Sequence, residues 1–341
     1  MTDAGTASTI RAEAPGRVNL IGDHTDYMGG LVLPMAVQMG TAITATRGGG
    51  RIELTSSRVP GLLSVPLPVQ DPATVEPSWG RYVAGVAAVL GATEGLVGTV
   101  ESDLPLGSGL SSSAALEVAT ALALGDDGSP LEVARRCQMA EQRVIGVPCG
   151  IMDQLASTAG VRGHVLLIDC ATMEITPVPV PDRASVWVVH SGQERRLVGS
   201  AYADRRAECE RAAAVVGPLP SAALDRIDEL DDPVVRARAR HVRTECDRVQ
   251  DFAAALSAGD LATAGALMVA SHRSLRDDFQ VSTDGLDRLV EELCALDGVH
   301  GARLTGAGFG GCVVALADPG VELRGWQVHA ADGARVVDVD D

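Results

Sequence analysis

The side chains best suited to chemistry lie in three separated, glycine-containing segments. The first, residues 15–30 (PGRVNLIGDHTDYMGG), places Arg17, Asp23, His24 and Asp26 within ten residues. Clustered carboxylates and a histidine, set among glycines and apolar residues, suit multi-point hydrogen bonding of sugar hydroxyls. For any one of them the alternative is a solvated polar turn with an ion pair, and a lone histidine more often has a structural role.

The second segment, residues 105–115 (PLGSGLSSSAA), has the composition of a phosphate-binding loop. Its glycines let the backbone approach a ligand, and its serines stand where a helix is expected to begin. A helix N-terminus presents free N–H groups and partial positive charge to an anion. Serine hydroxyls can add hydrogen bonds to phosphate or a ligand for Mg²⁺. The alternative is a serine-capped helix after a turn, and this segment alone supports both interpretations equally.

The third segment, residues 305–312 (TGAGFGGC), carries four glycines in six residues between two apolar stretches. A backbone of this kind passes very close to something, although a glycine-rich hairpin turn is an equal alternative. A dinucleotide-binding fingerprint is excluded, because no helix and no distal acidic ribose partner follow it.

Composition narrows the possible functions. The net charge of −17 argues against general binding to nucleic acid or to an anionic membrane surface. All 28 basic residues are arginine, so Schiff-base catalysis by lysine and a lysine-containing Walker A site are both excluded. The seven cysteines are dispersed without a CxxC pair, which indicates reduced thiols and no zinc site.

The chain also lacks the signals of export and of membrane insertion. No apolar run approaches the ~20 residues that span a bilayer. Residues 1–11 lack the basic and apolar regions of a secretory signal. We therefore expect a soluble, cytoplasmic protein.

Hydrophobic periodicity predicts mixed strands and helices in the first half of the chain and a mainly helical second half. Residues 40–47 and 51–56 read as a hairpin around three glycines. Helices are expected over 78–90, 110–124, from Pro130 to about Val144, and 151–157; strands are expected over 164–169, 175–180, 185–190, 299–305 and 312–317. Ser129 and Glu132 form a capping-box signature. A change of character near 181–200 divides the chain into domains 1–185 and 186–341.

The three segments together resemble the signatures of the GHMP small-molecule kinases, and specifically of the galactokinase family. Residues 149–154 (CGIMDQ), 200–209 with Tyr202, Arg205 and Arg206, and 271–281 (SHRSLRDDFQV) resemble the same family, so the likeness covers about residues 11 to 317. The resemblance implies an α+β, two-domain GHMP kinase fold with the active site in the interdomain cleft. It also implies ATP and Mg²⁺ as cofactors, a small-molecule sugar as substrate, and permits a monomer.

The resemblance implies a role for each site residue. Asp153 matches the candidate general base and Arg17 the basic residue beside it, while a carboxylate at a helix N-terminus is the structural alternative for Asp153. Ser113 and Glu141 match Mg²⁺ ligands, although a helix glutamate more commonly faces solvent. The matches to the phosphate cradle are Gly107, Ser108, Gly109, Leu110, Ser111, Ser112 and Ser113. The matches to sugar contacts are Asp23, His24, Thr25, Asp26, Gly150 and Tyr202.

The activity implied is transfer of the ATP γ-phosphate to the C1 hydroxyl of α-D-galactose. Two departures from the family pattern leave the exact sugar open: Asp23 stands where Glu is usual, and Met28 where Asn is usual. Aspartate reaches about 1.5 Å less far than glutamate. The alternatives are a kinase for N-acetylgalactosamine, a uronic acid or a C6-modified hexose, and a non-catalytic galactose and ATP sensor. Trp79 matches an aromatic near adenine, with a core position as its alternative.

Overall fold

The computed structural model describes residues 9–105, 107–146, 148–193 and 198–338. The strands, in chain order, are β1 (Thr9–Asn19), β2 (Leu31–Val32), β3 (Pro34–Arg47), β4 (Arg51–Ser56), β5 (Leu62–Pro66), β6 (Leu96–Ser102), β7 (His164–Asp169), β8 (Glu174–Pro179), β9 (Ser185–His190), β10 (Val299–Thr305), β11 (Cys312–Ala317), β12 (Trp326–Val328) and β13 (Arg335–Asp338). The helices are α1 (Gly80–Leu90), α2 (Ser112–Ala123), α3 (Pro130–Ile145), α4 (Met152–Ala159), α5 (Val198–Val216), α6 (Leu224–Asp228), α7 (Pro233–Ala258), α8 (Leu261–Asp277) and α9 (Asp284–Cys294). The fold is α+β, as predicted.

A six-stranded sheet in the order β13–β1–β3–β6–β4–β5 organises the first half of the chain. Alternate residues of β1, beginning with Ile10 and Ala12, are buried, which is the two-residue period of a sheet with one covered face. Helices α1, α2 and α3 supply Val83, Val118 and Cys137 to the same core. This packing fixes both the strand that carries Arg17 and the helix that carries Glu141.

The predicted hairpin of residues 40–47 and 51–56 is wrong in its pairing. Strands β3 and β4 do form, but β6 lies between them, antiparallel to β3 and parallel to β4. The glycine turn is long enough to step across this inserted strand, and its Gly48 and Gly49 exchange backbone hydrogen bonds with Gly95 instead. Local turn chemistry identified the two strands, whereas their partner arrives from a later part of the sequence.

The second half is built on a four-stranded antiparallel sheet in the order β10–β11–β9–β12. Helices α7 and α9 pack on it through Val242, Leu286 and Val290, against Leu304 and Val313 of the strands. The residues 305–312 join β10 to β11, so the glycine segment is indeed the turn of a hairpin. A three-stranded sheet, β2–β7–β8, contacts β3 of the first half through β7 and α7 of the second half through β2 and β8.

The other predicted elements agree with the structure to within a few residues at their ends. Helix α3 begins with both hydrogen bonds of the Ser129–Glu132 capping box and ends at Gly146 in the left-handed conformation. The proposed boundary at 185/186 falls at the start of β9 and stays a prediction. The last strand, β13, returns to pair with β1. In the described part of the chain no helix has the length and apolarity needed to cross a membrane.

Candidate active site

Arg17 is aimed by an irregularity in β1. The pairing of β1 with β3 changes register between Pro15 and Arg17, that is, at Gly16. A Cβ at Gly16 would lie 2.5 Å from the Leu110 carbonyl oxygen, so only glycine allows this approach. The Arg17 N–H then donates to the Leu110 carbonyl at 3.0 Å instead of to β3. The strand is thereby attached directly to the serine-rich loop.

The Arg17 guanidinium forms a two-pronged pair with Asp153. Its Nε lies 2.7 Å from Oδ1 and its Nη2 lies 2.5 Å from Oδ2, while Nη1 donates to the Gly109 carbonyl at 2.7 Å. The Ser111 hydroxyl also donates to Asp153. The side chain of Arg17 is 6% exposed and that of Asp153 is 28% exposed, so Asp153 is the member of the pair that is open to a ligand.

The segment 105–115 forms a tight loop before α2. Gly107 and Gly109 have φ of 73° and 72°, and Ser111 has φ of 56°, immediately before the helix begins at Ser112. Leu106 lies outside the described residues. Ser112 and Ser113 face the cleft at the first turn of α2, whereas Ser108 and Leu110 are buried at 2% and 1% exposure. The N–H groups of the first turn of α2 therefore open toward the cleft.

Ser113 and Glu141 meet at the same end of the cleft. The Ser113 hydroxyl donates to Glu141 Oε1 at 3.0 Å. The Gln154 amide donates to Glu141 Oε2 at 2.7 Å and to Glu117 Oε2 at 3.0 Å. Burial, and next the charge of Asp153, raise the pKa of Glu141. Burial raises the pKa of Glu117 well above its usual value, with the charge of Glu141 as the next cause.

Asp26 lies where the first segment meets α4. It opens a single 3₁₀ turn, and its carboxylate accepts the backbone N–H of Met152 at the start of α4. A Cβ at Gly150 would lie 1.5 Å from Asp26 Oδ2, so position 150 admits only glycine in this arrangement. Burial, and next the charge of Asp153, raise the pKa of Asp26 to about 6.

Three aromatic rings cluster beside Asp26, and two of them, His24 and Tyr202, line the cleft. The His24 ring centroid is 5.6 Å from that of Tyr202 and 6.0 Å from that of Tyr27. His24 Nε2 donates to the Ala307 carbonyl at 3.3 Å, which leaves Nδ1 to accept from the Tyr27 hydroxyl at 3.1 Å. Burial lowers the pKa of His24 to about 3, so the ring is neutral at pH 7. The Tyr202 hydroxyl accepts the Gly150 N–H.

Two of the predicted sugar contacts, Thr25 and Asp23, are buried and bonded to other parts of the protein. Thr25 is fully buried, and its hydroxyl donates to the Gly22 and Leu31 carbonyls. Asp23 is 2% exposed at the edge of the cleft; its Oδ1 accepts the Gly306 N–H at 2.9 Å and its Oδ2 lies 2.6 Å from Arg303. Both side chains thus fix the shape of the loop that carries them.

The cavity between these groups has a volume of about 830 Å³, enough for a sugar and a nucleotide. Its walls combine the serine-rich loop, the Asp153 region and the glycine segment, where Gly306 and Ala307 contribute backbone. Trp79 is not among its lining residues and packs against the core of the first sheet. Among the described residues no set of three or more His, Cys, Asp or Glu side chains is arranged to bind a metal.

The sequence assigned no role to several residues that shape this site. Gln154 bridges Glu117 and Glu141, and Arg303 pairs with Asp23. His190 and Cys149 line the cavity. Gln154 follows Asp153 directly in the segment of residues 149–154, so the sequence did offer a signal that it lies near the site. Asp23 and Arg303 are far apart in the sequence, so their pairing left no local signal.

Comparison with known proteins agrees with this architecture. Three family models match the chain: the galactokinase galactose-binding signature over residues 3–47, the GHMP kinase N-terminal domain over 81–161, and the GHMP kinase C-terminal domain over 252–324. Human galactokinase is 42% identical over 98% of this chain and 93% of its own length, and Chloroflexus aurantiacus galactokinase is 43% identical over 92% and 85%.

A solved structure is similar over nearly the whole length. The crystal structure of Lactococcus lactis galactokinase complexed with galactose superposes with a TM-score of 0.88 at 30% identity, covering 96% of this chain and 95% of that one. The fold and the two matching domain models are those of the GHMP kinases, an ATP-dependent class. Within that class, the chain belongs to the galactokinase family.

Proposed function

We propose that the chain catalyses transfer of the γ-phosphate of ATP to the C1 hydroxyl of α-D-galactose, giving galactose 1-phosphate and ADP. The observation that carries this proposal is the convergence of three features on one cavity: the serine-rich loop of residues 107–113, which we call the phosphate loop, the Arg17–Asp153 pair, and Asp26. Phosphoryl transfer requires chiefly positioning and charge neutralisation, and each of these segments supplies one part of them.

Asp153 is the proposed acceptor of the sugar proton. The C1 oxygen forms a bond to the γ-phosphorus, the bond from that phosphorus to the β–γ bridging oxygen breaks, and ADP leaves with its electron pair. The hydroxyl proton passes to the Asp153 carboxylate, which Arg17 and Ser111 hold in a fixed orientation. Its remaining exposure toward the cleft supports this role.

Arg17 is the proposed electrostatic partner. Its guanidinium donates to the Gly109 carbonyl of the phosphate loop and also pairs with Asp153. We therefore propose that it lies between the phosphates of ATP and the C1 oxygen of the sugar. In that position it stabilises negative charge on the transferred phosphoryl group.

ATP is the nucleotide substrate of the class, and we propose that it binds with its phosphates on the loop of residues 107–113. Backbone N–H groups and serine hydroxyls there replace the lysine that the chain lacks. Ser113 and Glu141 fit a hard cation, because two oxygen ligands stand 3.0 Å apart beside the loop and Mg²⁺ otherwise retains water and phosphate oxygens. Bound Mg²⁺ would neutralise charge on the β- and γ-phosphates.

The sugar is proposed to bind against Asp26, Gly150, Tyr202 and His24. Asp26 offers carboxylate oxygens to the ring hydroxyls, and Tyr202 and His24 close the pocket with their rings. Thr25 and Asp23 contribute by shaping the loop.

The deciding experiment is a panel of sugars tested for ADP release with Mg-ATP. We expect galactose to have the highest kcat/KM. N-acetylgalactosamine, a uronic acid and a C6-modified hexose test the related-sugar alternative. That alternative is supported by Asp23, whose carboxylate is shorter than the usual Glu and pairs with Arg303. Galactose binding without ADP release would instead identify a sensor and overturn the proposal.

The mechanism has its own test in Asp153→Ala. We expect kcat to fall by about 10²–10⁴-fold, the usual contribution of a positioned acid–base group, with ATP affinity retained. Full activity in this variant would remove Asp153 from the reaction. The monomeric state and the cytoplasmic location stay predictions, which gel filtration and cell fractionation would test.

A further inference from the structure

A buried network of charged side chains from the second half of the chain lies beneath residues 20–26, which we call the sugar loop. The network comes from α7, α8 and β10, more than two hundred residues away in sequence. None of its members belongs to the proposed catalytic or phosphate-binding set. The network reaches the predicted sugar contacts through Asp23.

Arg303 is the centre of this network. Its Nη1 lies 2.6 Å from Asp23 Oδ2 and donates to the Leu20 carbonyl at 3.2 Å, and its Nε donates to the Ser271 hydroxyl at 3.1 Å. The Arg303 side chain is 0% exposed, so it cannot touch a substrate. Two residues farther along, β10 ends and Gly306 donates to the other oxygen of Asp23.

Glu245 and His241 of α7 hold the backbone of the same loop. Glu245 Oε1 accepts the Gly22 N–H at 3.0 Å and the Ser271 hydroxyl. Burial alone would raise the pKa of Glu245, but the charges of Arg248 and His241 outweigh it and lower the value to about 2. His241 Nε2 donates to the Asp23 carbonyl at 3.1 Å.

The phosphate loop is held by different groups. Arg17 and Asp153 bind it at Gly109 and Ser111, and Glu141 binds it at Ser113. Arg303 makes none of these contacts. The two halves of the cleft therefore have separate supports, one under the nucleotide side and one under the sugar side.

We infer that Arg303 is a positioning residue for sugar recognition, which acts by fixing Asp23 and the sugar loop against the glycine segment of residues 306–311. The inference rests on the proposed function. With the pair intact, His24 stays within reach of the Ala307 carbonyl and Asp26 stays aimed into the cleft. Loss of Arg303 releases this geometry and leaves the Asp23 carboxylate buried without its counter-ion.

Kinetics on Arg303→Lys and Arg303→Met test the inference. We expect the KM for galactose to rise by about tenfold or more, which requires only about 1.4 kcal/mol of weakened sugar binding, with the KM for ATP unchanged. Lysine keeps the charge without the fork, so it should restore part of the affinity. Equal rises in the two KM values, or no change in either, would overturn the inference.

A matched control is Arg136→Met. Arg136 of α3 also pairs with a buried aspartate, because two of its nitrogens contact Asp126, whose side chain is 4% exposed, although Arg136 itself is 33% exposed. We expect lower stability with an unchanged galactose KM. If this control raises the galactose KM as much as Arg303→Met does, the effect is a general loss of stability and the inference fails.

A double-mutant cycle keeps the inference testable if Arg303→Met does not fold. Asp23→Asn, Arg303→Lys and the double variant are compared by calorimetric titration with galactose and by amide exchange at Gly306. We expect non-additive losses of affinity and faster exchange in each variant. Strictly additive losses would overturn the inference. If the wild-type chain binds galactose without phosphorylating it, the proposed function fails while this cycle still decides the role of Arg303.

Discussion

At the scale of single residues, the site depends on glycines whose backbone lies too close to a neighbouring residue for any side chain to fit. Gly150 approaches Asp26 so closely that a methyl group would overlap the carboxylate. We expect Gly150→Ala to displace Asp26 and raise the KM for galactose, with ATP binding retained. Steady-state kinetics with each substrate varied in turn measure both. Gly146→Ala is a suitable control, because that glycine ends α3 with nothing near its Cβ position, although its φ of 68° predicts some loss of stability. A rise in the ATP KM alone would contradict the expectation.

Asp26 should also impose a pH dependence. Its pKa of about 6 in the folded chain exceeds the ordinary 3.8. The folded state therefore retains this proton better, and the resulting stabilisation is fully present below about pH 4 and is lost as the pH rises through 6. In the proposed function the ionised carboxylate of Asp26 binds the sugar, so galactose kcat/KM should fall below about pH 6.

The control for this profile is Asp26→Asn, which carries no titrating group at that position. We expect its galactose affinity to be low and to lack the inflection near pH 6. An identical inflection in the variant would assign the titration to another group.

At the scale of elements, α3 offers a stability change that is remote from the chemistry. Ser129 and Glu132 satisfy each other at its start, three turns before Glu141. Ser129→Ala should lower the free energy of unfolding by about 1 kcal/mol, measured by urea denaturation, with kcat unaltered. A loss of activity in proportion to the loss of stability would show that the helix start controls the position of Glu141.

Element prediction from the sequence succeeded where the signals are local. The capping box of α3 and the strand at 185–190 depend on residues that are adjacent in the chain. The turn at residues 305–312 is equally local, although the sequence left a hairpin as one of two interpretations. The predicted pairing of β3 with β4 is wrong because β6 lies between them. Local periodicity in residues 40–47 cannot show that residues 95–102 will pair with them.

The same limit applies to the site. Arg17, Asp153, Ser113 and Glu141 were grouped by family resemblance, and their side chains do lie together, although their roles stay proposals. Periodicity and spacing alone would not have brought Arg17 to Asp153 across 136 positions. The pairing of Asp23 with Arg303 was not predicted. A carboxylate beside a histidine in a polar loop is typical of a ligand contact, so Asp23 was assigned to sugar binding.

At the scale of the whole molecule, β13 connects two segments that are far apart in sequence, because it pairs with β1. Arg11 and Ala12 of β1 pair with Val337 and Val336, and Arg335 lies 2.9 Å from Glu13. Val337→Pro should lower the free energy of unfolding by about 1–3 kcal/mol, because proline removes a ladder hydrogen bond. Galactose and ATP KM should be unchanged, since β3 still supports β1 near Arg17.

Val336→Thr is the control for this change. Val336 is 47% exposed, and threonine is well tolerated in strands, so its stability should match the wild type. Urea denaturation compares the three proteins. Equal stability of Val337→Pro and wild type would show that the last strand contributes nothing to the first sheet.

The pairing of β1 with β13 also sets the order in which a newly made chain can be completed. Residues 335–338 leave the ribosome more than three hundred residues after residues 10–13. At 5–20 residues per second, the outer edge of β1 waits roughly 20–70 s for its neighbour. An unpaired edge is a template for intermolecular strand addition. The yield of active protein during expression should therefore depend on translation speed and on chaperones that cover this edge while the remainder of the chain is made.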